Sequence, residues 1–171
     1  EVLQRCDELR VRSHGVFDVW SLPSPNGTRF DPCGYVKGWS LQRATTLLSR
    51  RGSFNFCINA GGDVSVGGTT SAGQPWRVGV RDPIAPDAVA LTVRTVGPMA
   101  VATSGCYERG AHIVDPRTGG TVDEFASATV IGPNAAEADA YATTVFIMGT
   151  EGLRWLADRT SPRVPLLIAG V

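Results

Sequence analysis

The chain has no excess of either charge, no long apolar run, few cysteines and only two histidines. Sixteen basic residues balance sixteen acidic ones, so nothing favours a general attraction to nucleic acid or to an anionic membrane, and any anion site has to be local. No hydrophobic stretch approaches the roughly 20 residues needed to span a bilayer. The opening residues, EVLQRCDELRVRS, are amphipathic rather than signal-like. Cys6, Cys33, Cys57 and Cys106 are widely spaced with no CxxC pair, which argues against zinc and reads as free, mostly structural thiols. Their even number leaves disulfide pairing open. The first residue is Glu1 and not Met, from which residues missing at the front are expected. The compartment stays open, with the cytoplasm slightly favoured over export because no signal is seen.

What is present is enough for a core. With 171 residues and 43% hydrophobic content, the expectation is one domain, residues 1–171. Val2, Leu3, Cys6, Leu9 and Val11 recur at helical spacing, and Gly15 supplies a stop. Residues 21–34, with three prolines and two glycines, read as a loop. A second helix is expected from about Val36 to Arg51, closed by Gly52. Residues 54–60 alternate like a strand, 61–63 turn the chain, and VSVGG follows as a hairpin partner. PWRVGVRD, AVALTVRTV, MAVATSG and ATVIG read as further strands. Pro133-Asn134 prepares a helix over Ala135–Met148 with Gly149 as its stop, a short helix follows over Glu151–Asp158, and VPLLIAGV reads as a core strand. Hairpin-like strands with helices outside them indicate an α+β fold with a largely antiparallel sheet and packed helices.

Four segments gather residues that carry chemistry. In DPCGYVKG (31–38), Gly34 and Gly38 allow close backbone approach, a helix start offers unpaired N–H groups and Lys37 adds a positive charge, which together suit a phosphate. An ordinary capped helix with a solvated lysine is the competing reading. NAGGD (59–63) either closes a hairpin, with Asp63 bonding local backbone, or lets a ligand lie against the sheet at Gly61 and Gly62. Residues 103–119 collect hydroxyls, His112, Asp115, two arginines and glycines between apolar strands. His112 could be structural or catalytic. Asp139 and Thr143, four apart, share a helical face. Their hard oxygens suit magnesium better than zinc, unless Thr143 bonds back to its own helix and Asp139 merely caps or pairs.

In this order the segments resemble the ApbE family of flavin transferases, whose D-x-x-G-x-x-K-G, GGD, TSG-x-Y-x-R, H-I-x-D-P-x-T-G and A-D-A-x-A-T motifs correspond to DPCGYVKG, NAGGD, TSGCYER, HIVDPRTG and ADAYAT here. Gly15-Val16-Phe17-Asp18 also resembles the family's G-x-FD segment, which lies along the flavin dinucleotide. The resemblance implies an ApbE-like, T-fold related α+β domain lacking its N-terminal portion. That portion in the family includes a strand with a Met-Gly-Thr-like motif, so the flavin cradle is expected to be incomplete or completed by another chain. It further implies that Asp139, Thr143 and the carbonyl of Gly34 hold Mg2+. Val16, Phe17, Asp18, Asp31, Lys37, Gly61, Gly62, Asp63, His112 and Ile113 would contact FAD. The family's reaction moves FMN from FAD to a threonine of an acceptor protein and releases AMP; alternatives are an FAD pyrophosphatase giving FMN and AMP, and a non-catalytic FAD-binding module. Magnesium and Lys37 would lower the charge of the diphosphate, and His112 or Asp115 could accept the hydroxyl proton.

Overall fold

The computed structural model describes residues 1–85, 87–106, 110, 112–158 and 166–169. Its centre is a five-stranded sheet in the order β3-β4-β7-β8-β9, antiparallel throughout, formed by Phe56–Ala60, Asp63–Gly67, Met99–Gly105, Ser127–Gly132 and Leu166–Ala169. The strand expected in VPLLIAGV is thus seen in its middle, last in the strand order, and its remaining residues lie outside the described ones. Two small hairpins accompany the sheet: β1 (Leu22–Ser24) with β2 (Gly27–Arg29), and β5 (Trp76–Arg81) with β6 (Val89–Thr95).

The period of two along the strands creates two cores. On β7 and β8, Ala100, Ala102, Ala128 and Val130 face the helices, while Val101 and Ile131 face Val78 and Val80 of the β5–β6 hairpin. Against the first face lies α3 (Ala135–Met148), in which Ala138, Ala140, Ala142, Val145 and Phe146 are all buried. A helix apolar on nearly every side has to be enclosed, and α2 (Cys33–Arg50), with α1 (Val2–Arg12) and α4 (Thr150–Ala157), encloses it. Asn134 starts α3 by accepting hydrogen bonds from the Ala136 and Glu137 amides, a strong N-cap.

Two boundaries differ from those expected. Residues 21–34 are not a plain loop: Leu22–Arg29 pair across Pro25-Asn26 into the β1–β2 hairpin, with Trp20 stacked on Phe30 at a centroid distance of 5.1 Å. Pro23 is the middle residue of β1, opposite Thr28, and Pro25 lies in the turn; in a two-stranded ladder each strand is an edge, where a missing N–H does little harm. Helix α2 begins at Cys33 rather than near Val36 because the Asp31 carboxylate accepts the Cys33 amide and the Pro32 carbonyl accepts those of Tyr35 and Val36. This places Gly34 inside the first helical turn. No helix among the described residues is long and apolar enough to cross a membrane, and the four cysteines are free.

Candidate active site

The packing of α2 on α3 brings distant polar residues together. A Cβ at Gly38 would lie 2.4 Å from the Ala135 carbonyl oxygen and 2.6 Å from the Asp139 Cβ, so only glycine lets the helices come this close. At that contact the Gly38 amide donates to Asp139 Oδ2 at 2.8 Å. The glycine read from sequence as a phosphate approach is therefore a helix-crossing point that holds a carboxylate. Gln42, one turn on, accepts the Ala135 amide through its side chain at 2.8 Å.

Lys37 sits between two buried acids. Its Nζ is 3.0 Å from Asp63 Oδ2 and 3.6 Å from Asp139 Oδ1. Asp63 reaches this position from the β3–β4 turn. Gly61 and Gly62 adopt φ of 60° and 96°, the left-handed pair required by a two-residue hairpin turn of this hand, and Asp63 then points inward, 2% exposed. Instead of bonding local backbone, its Oδ1 accepts the Thr103 amide at 3.3 Å. Its buried Oδ2, although close to the ammonium, has no well-aligned hydrogen bond. Two carboxylates against one ammonium leave the cluster one negative charge in excess when all are ionised. Burial, reinforced by Asp63 and opposed by Lys37, pushes the Asp139 carboxyl up to about 7. Burial also raises Asp63, with Lys37 opposing. Burial alone would lower Lys37, but attraction to Asp139 and Asp63 outweighs it and raises its pKa.

The cluster opens on a cavity of about 690 Å³, within the range of roughly 300–1,000 Å³ common for small-molecule sites. Of the residues singled out from sequence, Val16, Phe17, Asp18, Asp31, Gly34 and Lys37 line it, as do Gly61, His112, Ile113, Asp139 and Thr143. Gly34 and Thr143 are neighbours: a Cβ on Gly34 would stand 3.5 Å from Thr143 Oγ1 and 3.4 Å from the Phe17 ring. Thr143 does not bond back to its helix but meets Ser104 Oγ at 3.0 Å.

Three candidates do not line the cavity, and two that do are already engaged. Gly62 serves the turn, with its amide on Asn59 Oδ1, and Asp63 lies behind Lys37. Asp115 is held in a turn by Arg117, whose Nη2 is 2.7 Å from Asp115 Oδ2. Hydrogen bonding from that side chain holds its carboxyl below the usual range, against the effect of burial. Asp18 spends its carboxylate on the Trp20 and Ser21 amides and on Arg10 at 2.9 Å, so it shapes the strap that carries Val16 and Phe17. Asp31 combines the Cys33 amide with Arg29 at 3.0 Å. Burial pushes its carboxyl up, but the Cys33 bond and Arg29 outweigh that and keep it low. His112 is exposed, and its Nδ1 lies 2.9 Å from the Gly110 carbonyl. A carbonyl only accepts, so Nδ1 is the donor in this contact, which in the neutral ring leaves the lone pair on Nε2. Tyr107 and Arg109 of the third motif lie outside the described residues.

Among the described residues no group of three or more His, Cys, Asp or Glu side chains is placed to hold a metal. The available donors are carboxylate, hydroxyl and carbonyl oxygens, a hard set suited to a cation that takes few protein ligands. Sequence reading did not find the convergence of Asp63 on Lys37, the partnership of Ser104 with Thr143, or Arg29 and Ser104 as lining residues. The only signal for Asp63 and Ser104 was the polar character of GGD and TSG beside apolar strands, and Arg29 carried none.

The sequence matches the ApbE family over residues 1–168. The FAD:protein FMN transferase of Vibrio cholerae is 30% identical over 142 residues, covering 78% of this chain and 42% of that protein. That of Rhodobacter capsulatus is 34% identical over 148 residues, covering 82% and 28%. The chain thus spans less than half the length of these curated relatives. The structure of the ApbE protein from Thermotoga maritima aligns with a TM-score of 0.82 at 27% identity, covering 99% of this chain and 73% of that one. The flavin transferase ApbE from Vibrio cholerae aligns at 0.77 and 21% identity, covering 98% and 69%, a likeness of fold. With a family match over nearly its whole length and a site assembled from the same ordered motifs, the chain belongs to the ApbE family.

Proposed function

We propose that this chain is a magnesium-dependent FAD:protein FMN transferase domain, which moves FMN from FAD to a threonine of an acceptor protein and releases AMP. The observation that carries this reading is the meeting, at one cavity, of Lys37, Asp139, Thr143 and Gly34, with Asp63 behind Lys37. The residues fit a divalent cation on their own chemistry: the cluster carries one negative charge in excess when all its groups are ionised, and the Thr143 hydroxyl is not spent on its helix. Asp139, Thr143 and the Gly34 carbonyl would hold Mg2+, which when bound supplies positive charge at the diphosphate oxygens.

The remaining chemistry belongs to the chain. Lys37, fixed by two carboxylates, offers a directed charge to the departing phosphate without needing to be reorganised. Phe17, Val16 and Ile113 supply apolar wall for a flat ring system and keep water from it. His112 is the better of the two candidates for accepting the threonine proton, because it lines the cavity and its Nδ1 contact leaves Nε2 for a substrate, while Asp115 is paired with Arg117 outside it.

The test is product analysis. Incubation with FAD, Mg2+ and a threonine-containing acceptor protein should give AMP and a flavinylated acceptor in equal amounts, and Asp139→Ala should stop both. AMP and FMN formed equally well without acceptor would establish the pyrophosphatase instead. FAD binding with no AMP would establish a binding module.

A further inference from the structure

A threonine hydroxyl has one proton and two lone pairs. Inside a helix the proton ordinarily goes to the carbonyl one turn back, and Thr144 does this, donating to the Ala140 carbonyl at 2.8 Å. Thr143, the next residue back along α3, behaves differently: among the described residues its only hydrogen-bond partner is Ser104 Oγ, 3.0 Å away on β7. Ser104 is 7% exposed and lines the same cavity. It is held in an interior strand, paired opposite Ala128 of β8, so its position is set by the sheet rather than by a loop.

A hydroxyl that offers a lone pair to a cation has to send its proton elsewhere. We propose that Ser104 is a positioning residue for Thr143: its Oγ accepts the Thr143 proton and so keeps the Thr143 lone pairs turned toward the cavity and a divalent cation there. This rests on the reading of Asp139 and Thr143 as metal ligands. Without Ser104, the Thr143 hydroxyl is free to rotate and donate to the Ala140-type partner one turn back, the Asp139 carbonyl, which would point its proton away from the sheet and change the direction of its lone pairs. Partners of metal ligands that act this way typically contribute about 10–100-fold to metal affinity.

The test is Mn2+ binding to the metal-free chain, followed by the electron paramagnetic resonance signal of free Mn2+, which reads affinity without turnover. Ser104→Ala should weaken binding about 10–100-fold with the thermal unfolding midpoint little changed. Ser104→Cys, similar in volume but a poor acceptor, should weaken it in the same direction and serves if the alanine variant folds badly. In a Thr143→Val background, Ser104→Ala should have no further effect, because the residue it positions is gone. Wild-type affinity in Ser104→Ala, or an equal loss in both backgrounds, overturns the proposal. Asp139→Ala separates the two failures: if it abolishes binding while Ser104→Ala does not weaken it, the metal site stands and the role of Ser104 falls. If wild type does not bind Mn2+, or Asp139→Ala leaves binding intact, the metal reading falls and takes this inference with it.

Discussion

Alanine at two glycines of α2, four residues apart, should have opposite effects. At Gly38 a Cβ would meet the Ala135 carbonyl oxygen at 2.4 Å and the Asp139 Cβ at 2.6 Å. Neither is the far end of a flexible side chain, so α2 and α3 must separate by about 1 Å to restore an ordinary carbon contact. Overpacking of this kind costs about 1–3 kcal/mol, and disturbing the Gly38 amide bond to the Asp139 carboxylate adds up to about 1.5–3 kcal/mol. The gain in helix propensity is only about 1 kcal/mol, so clash wins and a net loss of roughly 2–4 kcal/mol is expected. At Gly34 the new methyl would touch Phe17 at 3.4 Å and Thr143 Oγ1 at 3.5 Å, ordinary contact distances. Gly34→Ala should therefore match or slightly exceed wild type in stability while crowding Thr143 and weakening metal and FAD binding. Urea unfolding of the metal-free proteins, with Mn2+ titration of each, reads both effects. Gly38→Ala as stable as wild type, or Gly34→Ala the less stable of the two, would refute the close helix crossing on which the site is built.

Other predictions address the charges, the cap and the base. Lys37→Met leaves Asp63 and Asp139 facing each other without a counter-charge; breaking a buried pair costs about 3–5 kcal/mol, and because Lys37 is 37% exposed about 2–3 kcal/mol is expected in urea unfolding, largest above pH 7. Asp139 has a pKa raised from 3.8 to about 7 by burial. A group that holds its proton more tightly when folded stabilises fully below its unfolded pKa and loses that stabilisation as pH rises through the folded one. Metal-free wild type should therefore lose stability relative to Asp139→Asn between about pH 4 and pH 8, and a constant difference across that range would contradict the assignment. Asn134→Ala removes the α3 cap and should cost about 1 kcal/mol. His112→Gln should lower the transfer rate by about 10²–10⁴-fold with FAD binding retained, whereas Asp115→Asn should act mainly through the local turn.

The strands and α3 were legible because their patterns are local: alternation in 54–60, β-branched residues between turn signals in the later strands, and a mostly apolar helix after Pro133-Asn134. The β1–β2 hairpin was hidden by Pro23 and Pro25, which a two-stranded ladder tolerates in an edge strand and in its turn. The members of the site were also legible one at a time, as hydroxyls, acids and glycines out of place in apolar segments. Their partnerships were not, because they are made by packing. Lys37 reads as a free cation on α2 and becomes a bridge only when the β3–β4 turn delivers Asp63. Gly38 looks like a phosphate contact until α3, 101 residues away at Asp139, is laid against it. Asp18, Asp31 and Asp115 carry no sequence mark separating a carboxylate available to a ligand from one spent on backbone amides or an arginine.

The most direct measurement is a crystal structure of the chain with FAD and Mn2+, located by the anomalous signal of the metal. The account predicts one manganese peak at bonding distance from Asp139 and Thr143, with the diphosphate beside Lys37. A diphosphate bound elsewhere, or a metal away from α3, would contradict it.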